Sequence, residues 1–427
     1  MRSRLGCSAS SRSLAMREAK RKHGLRKVRV GDVLHLDRQM ISIDSEKEYV
    51  SVGVRSFGKG VFHYPPRPGA ELGKLRFFEI KPGCLFISNI KAWEGAVAIA
   101  TRQEAGCIAS NRFLPYFGDP EEVSISYLQY YFAVGPGLDL LQMASPGSAD
   151  RNRTLSMSQF EKLRFPLPPL SEQKKIADIL SSVDEAIQAT EAVIEQTRRV
   201  KQGLLQDLLT RGIGHTRFKQ TEIGEIPSSW QVRTLNSLGL VDCGKAKNKR
   251  QTAPERPYLR VANVLDDEIN PEDVLTMPFR DDEFDQYKLE SGDILLNEGQ
   301  SLELVGRPAV YRGTPANVAM QNALLRWRPD KSMVDPDFGY QCIRLMYRTG
   351  VFSQVATQTT SIAHLGLGRF RALRIAVPPL REQQQLAAIL NAADEPRRAQ
   401  EAALGQLQQV KAGLLQDLLT GKVRVSA

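Results

Sequence analysis

Two stretches of the chain repeat the same apolar spacing. Taking positions alternately four and three apart from Ile176 gives Ile176, Leu180, Val183, Ile187, Thr190, Ile194, Thr197, Lys201, Leu204 and Leu208. The same walk from Leu386 gives Leu386, Leu390, Ala393, Arg397, Gln400, Leu404, Leu407, Lys411, Leu414 and Leu418. Seven of the ten positions are apolar in each walk, a pattern that predicts a long helix with a coiled-coil seam rather than a globular-core helix. Each helix should run roughly 40 residues, or about 60 Å at 1.5 Å per residue. Pro168-Pro169 and Pro378-Pro379 bar any earlier helix. Ser171 can cap the first helix, and Glu172 and Glu382 place an acid in each first turn. Gly212 and Gly421 follow the last turns. Pro396 predicts that the second helix is bent or split.

The helices are copies. "KQGLLQDLLT" from Lys201 and "KAGLLQDLLT" from Lys411 share nine of ten letters, 210 residues apart. Upstream, "FPLPPLSEQKKIADILSSVDEA" (165–186) parallels "IAVPPLREQQQLAAILNAADEP" (375–396). Weaker register persists further back: "EIKPGCLFIS" (79–88) with "KLESGDILLN" (288–297), Asn111 with Asn322, and Phe160 with Phe370. A period this long is a duplicated module, not a solenoid. The matching seams predict that the helices pair antiparallel within one chain. Leu205, Leu209, Leu415 and Leu419 lie beside the seam, where they either pack on the neighbouring block or offer surface to a second partner.

Between the helices the pattern shifts to short alternation broken by glycine. "KEYVSVGVRSFGKGVFHY" (47–64), "RPYLRVANVLDDEI" (256–269) and "SGDILLNEGQ" (291–300) read as strands and turns. The fold expected is α+β: two strand-rich α/β blocks separated by two long antiparallel coiled-coil helices, with a pseudo-twofold internal repeat at offset 210. Its parts are a basic leader (1–24), a first block (25–165), a first helix (166–213), a second block (214–375) and a second helix (376–427). Length alone suggests about three units at ~150 residues each.

Composition is that of an ordinary globular protein, 42% hydrophobic and 25% charged, with no apolar run long enough to span a membrane. The net charge is +10, but residues 1–30 hold ten Arg/Lys and one acid, so the leader carries most of it. A nucleic-acid surface in the main body must come from local clusters. Four suit it. "GVRSFGKG" carries Arg55 and Lys59; "SADRNRT" carries Arg151, Asn152 and Arg153. "GKAKNKRQ" carries Lys245, Lys247, Asn248, Lys249 and Arg250; "LRVANV" carries Arg260 and Asn263. Lys and Arg would hold phosphates, while Asn and bidentate Arg would read base edges. Such clusters are also what ordinary solvated loops contain.

Catalytic motifs are not found. "GVRSFGKG" approaches a phosphate-binding loop, but Gly60 stands where Ser or Thr should hold magnesium and no helix pattern follows. "HYPPR" (63–67) and "NPED" (270–273) miss the polar-Pro-Pro-aromatic order of amino-methyltransferases, and Glu18-Ala19-Lys20 has no nuclease acid before it. Five scattered cysteines suggest neither a disulfide framework nor a zinc site, and fit reduced thiols in the cytoplasm.

These features together resemble the specificity subunits of Type I restriction–modification systems. The twin Pro-Pro-Leu-x-Glu-Gln helices, their "GLLQDLLT" ends and "GEIPSSWQVRTL" (224–235) carry the resemblance, which spans roughly residues 28–425. The first block departs from it: "LRKVRVGDVLHLDR" (25–38) stands in place of the Ile-Pro-x-x-Trp opening. The resemblance implies that each block is a target recognition domain reading one half of a split double-stranded DNA sequence. It implies that the helices set the gap and hold two methylation subunits. S-adenosylmethionine, ATP and Mg²⁺ would belong to partner subunits, including two restriction subunits where the system has them, and this chain would catalyse nothing. Two other readings stay open: a single-chain methyltransferase or nuclease with unrecognised motifs, and a coiled-coil scaffold that does not bind DNA.

Overall fold

The computed structural model describes residues 25–73, 75–147, 153–248, 250–358 and 361–425. The leader at 1–24 lies outside them. The chain forms two compact units, one from Met1–Glu191 with Ala402–Ala427, the other Ala192–Glu401. Length had suggested three. The number falls to two because each strand-rich block shares one core with stretches of both long helices.

The first long helix, α1, runs Leu170–Arg211. The second is split, as Pro396 predicts: α2 covers Leu380–Ala392 and α3 covers Glu395–Leu419. Pro396 has no amide proton for the carbonyl four residues back. The helix therefore stops, and restarts with the Arg398 amide donating to the Asp394 carbonyl at 3.0 Å. Ser171 is not a cap; α1 already begins at Leu170. Gly212 and Gly421 close their helices at φ of 66° and 73°, as C-terminal glycines do.

Within each unit the helix segments run antiparallel. In the first, Lys411 of α3 pairs with Asp184 of α1 at 2.5 Å, and Arg424 beyond α3 reaches back to Glu172 at the start of α1. In the second, Lys201 and Arg198 of α1 pair with Asp394 and Glu401. The seam is real but shared. Ile176, Leu180 and Leu418 enter the core of the first unit, and Leu386 and Leu390 that of the second. Leu205, Leu209 and Leu419 are buried in the same cores, with Leu415 packed against them, so these off-seam leucines pack on the blocks.

The blocks share a framework. The first has a four-stranded antiparallel sheet in the order Val97–Ile99, Leu85–Ser88, Phe113–Gly118, Leu34–Leu36. The second has Pro308–Val310, Ile294–Asn297, Leu324–Pro329, Gly239–Cys243 in the same order. The central strands are the "CLFIS" and "DILLN" pair, buried at every position. Arg26–Arg29 pairs with Arg164–Leu167 just as Gln231–Thr234 pairs with Arg374–Val377. So "LRKVRV" takes the place of "QVRT" despite lacking the tryptophan. Beyond this framework the blocks diverge. The first adds Ile108–Ser110, Phe77–Glu79 and Met40–Ile41 as a second sheet, with a hairpin of Val52–Val54 and Val61–His63. The second adds Leu275–Pro278, Glu255–Leu259 and Ala319–Met320, and a ribbon of Gly299–Gln300, Ala363–His364 and Thr357–Gln358.

The Glu-Gln of each Pro-Pro-Leu-x-Glu-Gln motif fastens block to helix. Gln173 is buried; its amide donates to the carbonyls of Pro168 at 2.9 Å and Glu122 at 3.2 Å, and its oxygen accepts the Ser124 amide at 2.8 Å. Gln383 repeats this with Pro378 at 2.9 Å, Met333 at 3.0 Å and the Asp335 amide at 2.9 Å. Ser124 and Asp335 cap the block helices Ile125–Val134 and Pro336–Arg348. Each glutamine therefore ties a block helix to the start of a long helix. The acid beside it holds the tail of the other long helix. Glu172 accepts two bonds from Arg424 at 2.6 Å, which with burial opposing holds its carboxyl below the usual range. Glu382 accepts from His215 at 2.7 Å and from the Trp230 indole at 3.2 Å.

Candidate nucleic-acid interface

In the first unit, Arg55 and Lys59 lie in the exposed turn of the Val52–Val54/Val61–His63 hairpin. The Arg55 amide donates to the Gly60 carbonyl at 2.9 Å, and its guanidinium lies 5.4 Å from the Phe62 ring centre. The hairpin tip rests on the turn after strand Leu85–Ser88. The Phe57 amide donates to the Glu94 carbonyl at 2.9 Å, Gly58 to Gly95 at 3.0 Å, and the Ser56 hydroxyl to the Glu94 carboxylate at 2.6 Å. Lys91 also bonds Glu94, and with Ser56 it holds that carboxyl below its ordinary range. Trp93 stands in this turn with Lys91 5.1 Å and Arg153 4.8 Å from the ring centre. Only Nε of Arg153 has a partner among the described residues, the Ser145 carbonyl at 3.4 Å. Arg151 and Asn152 lie outside the described residues. The structure thus gathers Arg55, Lys59 and Arg153 around one turn, and adds Lys91 and Trp93. Sequence reading missed those two; the signal was an aromatic two residues after a lysine in a strand–turn–strand segment.

In the second unit the Lys-rich loop divides. Lys245 is buried. It bonds Glu283 at 2.6 Å, Gln251 at 2.9 Å and the Pro278 carbonyl at 2.9 Å, and lies 4.8 Å from the Phe279 ring centre. With the Arg280 amide and Gln251 it pulls the Glu283 carboxyl down to about 2. All three ammonium donors are engaged, so Lys245 fastens the base of the loop and has none left for phosphate. Asn248 shapes the turn by accepting the Arg250 amide at 3.0 Å. Lys247 and Arg250 are exposed, and their side chains meet no partner among the described residues. Lys249 lies outside them.

Arg260 and Asn263 both have partners within the fold. Arg260 pairs with Asp273. Asn263 is buried; its oxygen accepts the Arg260 amide at 3.1 Å, and its amide donates to the Asn270 and Glu272 carbonyls at 3.1 and 3.0 Å. An asparagine so engaged holds a turn and offers no donor to a base.

Among the described residues no cluster of His, Cys, Asp or Glu could hold a metal ion, and no helix is long and apolar enough to cross a membrane. Cys84, Cys107, Cys243 and Cys342 are unpaired thiols.

The sequence pattern of the Type I restriction modification DNA specificity domain matches residues 72–198 and 227–411. The chain belongs to this family. The match falls twice, once on each strand-rich block with its following helix, so the repeat is a repeat of the family domain itself. The chain is 28% identical over 274 residues to the Type I restriction enzyme MjaVIII specificity subunit of Methanocaldococcus jannaschii, covering 62% of this chain and 63% of that one. It is 30% identical over 300 residues to the putative type I restriction enzyme MjaX specificity subunit of the same organism, covering 64% and 62%. The matched region therefore spans less than two thirds of either relative. Among solved structures, the S subunit of a Type-I restriction-modification system from M. genitalium aligns over 98% of this chain and 99% of its own, with a TM-score of 0.54 and 14% identity. A chain from a structure of complex assembly and conformational transition of the type I R-M system aligns over 93% and 97%, with a TM-score of 0.57 and 16% identity. At these identities the likeness is one of fold. It makes the chain an α+β specificity-domain protein with its module present twice.

Proposed function

We propose that this chain is the DNA-reading specificity subunit of a Type I restriction–modification complex. Each strand-rich block reads one half of a bipartite duplex target, the paired helices set the gap, and two copies of a methylation subunit dock on the chain. The chain itself is non-catalytic and cytoplasmic. S-adenosylmethionine, ATP and Mg²⁺ act in the partner subunits, including two restriction subunits where the system has them.

The observation that carries this reading is what the duplication preserved. Residues that hold helix to block or helix to helix were kept: Gln173 and Gln383, Glu172 and Glu382, the pairs Lys201–Asp394 and Lys411–Asp184. The exposed face of the helix ends was kept too. Gly203, Gln206, Asp207 and Thr210 recur as Gly413, Gln416, Asp417 and Thr420, spaced along one helical face. Gly203 and Gly413 are exposed with open space around them, although glycine inside a helix costs about 1 kcal/mol relative to alanine. Packing within the chain does not explain keeping them, whereas two copies of one partner would. The block loops, where DNA would be read, differ throughout.

The test is to co-express the chain with the methylation subunit of its own locus and map N6-methyladenine across the host genome by single-molecule sequencing. A split motif, methylated in both halves with a fixed gap, is expected. An assembled complex that neither methylates a motif nor shifts DNA in a gel would overturn the reading.

A further inference from the structure

One corner of the framework is built twice and carries different chemistry each time. In the first unit, strand Leu85–Ser88 leads into the turn Asn89–Gly95, and the Asn89 carbonyl accepts the Leu155 amide at 2.9 Å. In the second, Ile294–Asn297 leads into Glu298–Gly306, and the Glu298 carbonyl accepts the Leu365 amide at 2.9 Å. Gly95 and Gly306 close these turns at φ of 71° and 76°. A Cβ there would meet the Ala133 carbonyl at 2.1 Å or the Phe352 ring at 2.4 Å, so both positions require glycine. Leu155 and Leu365 each precede, by five residues, a buried phenylalanine, Phe160 or Phe370.

On this shared backbone the first unit presents Lys91, Trp93 and Arg153, with the Arg55–Lys59 hairpin tip beside them. The second presents Gln300, Leu302, Ile362 and His364, with Gly299–Gln300 paired to Ala363–His364 as a ribbon. Leu302 and Ile362 are large apolar side chains left exposed. The Lys-rich loop 244–251 has no such twin. At the matching place in the first unit, beyond Leu34–Leu36, the chain passes into strand Met40–Ile41.

We propose that this corner is the base-reading element of both units, and that the second unit selects bases with Gln300 and His364 rather than with its Lys-rich loop. The inference rests on the DNA-reading function proposed above. A duplicated backbone with unrelated side chains is how one scaffold comes to read two sequences. The chemistry suits it: Gln pairs with adenine N6 and N7, exposed Leu and Ile suit the thymine methyl, and Arg pairs with guanine O6 and N7. Trp93 holds the Arg153 plane while both terminal guanidinium nitrogens stay without a partner among the described residues. Lys247 and Arg250 then serve as phosphate contacts, which position without selecting.

Three double variants, each in complex with the methylation subunit, separate these roles. Gln300→Ala/His364→Ala should relax base choice in one half of the methylated motif by about tenfold and leave the other half intact. Trp93→Ala/Arg153→Ala should do the same to the other half only. Lys247→Ala/Arg250→Ala should lower methylation at every site alike, keep the motif, and reduce the salt-dependence slope of DNA binding by about two. Gln300→Glu keeps the shape and replaces the amide donor with a second acceptor, so it should shift the preferred base even if the alanine variants fold poorly. A motif unchanged by both Gln300→Glu and the Gln300/His364 pair, or base choice altered by the Lys247/Arg250 pair, would overturn the assignment. A wild-type complex that yields no split motif would instead bring down the DNA-reading function itself.

Discussion

The same lysine–aspartate pair sits in both units, and the two copies live in different surroundings. Lys411 and Asp184 are 30% and 26% exposed, and the Tyr130 hydroxyl donates to Asp184 at 2.8 Å. Lys201 and Asp394 are 7% and 5% exposed, and Arg344, Arg397 and Asp267 close in around them. The cause lies in the blocks. Arg344 stands nine residues beyond the cap of its block helix, where the first unit has Ala133, nine beyond Ser124. The helices repeat a device, and the block packed against it decides whether it is a partly wet ion pair or a buried charge cluster. In that cluster burial pushes the Asp394 carboxyl up, but Arg344 and Lys201 outweigh it and hold the carboxyl below its ordinary value. Burial, with Arg344 beside it, pulls the Lys201 ammonium down to about 8.

The largest expected difference follows directly. Asp394→Ala strands the buried Lys201, removes one of the two carboxylates that hold Arg344, and should cost about 3 kcal/mol or more. Asp184→Ala should cost about 1 kcal/mol, because water can replace the partner of a part-exposed lysine. Denaturant unfolding of the two variants measures both, and equal costs would break the comparison. Next come the glutamines, where the units are alike. Gln173→Ala and Gln383→Ala each strand the same three backbone groups and should lose about 2 to 3 kcal/mol apiece. A gap above about 1 kcal/mol between them in thermal unfolding would show that the two joints are not equivalent.

A pH difference sharpens the comparison further. The folded protein holds Lys201 at a lower proton affinity than the unfolded chain does, so between pH 8 and 10.5 the unfolded state binds the extra proton. Stability of the wild type relative to Lys201→Met should therefore rise with pH through that window. The smallest effect expected is from Pro396→Ala, which restores the missing amide at a helix start where proline is tolerated, and should change stability by less than about 1 kcal/mol. A large gain in unfolding midpoint would mean that the break is strained.

Much of the framework was legible because it was written twice. The 210-residue offset exposed the helices, the Glu-Gln joints and the "CLFIS"/"DILLN" strand, and Pro396 announced the break. The polar seam positions Lys201 and Lys411 are each answered by an aspartate in the other copy of the helix, Asp394 and Asp184. Polarity alone did not sort the loops. Lys245 and Lys247 are two residues apart in the same basic run, yet one is buried against Glu283 and the other is exposed. Asn263 looked like a base reader and instead closes a turn. Trp93 was overlooked because a lone aromatic carries no charge signal, and its place beside Arg153 depends on a turn that sequence spacing does not reveal.

The central claim is that each block reads one half-site on its own. It is tested most directly by exchanging residues 28–165 for the first block of another family member and mapping N6-methyladenine for the hybrid and parent complexes. One half of the motif should change to the donor's, while the other half and the gap stay as they were. Changes in both halves at once would contradict the account.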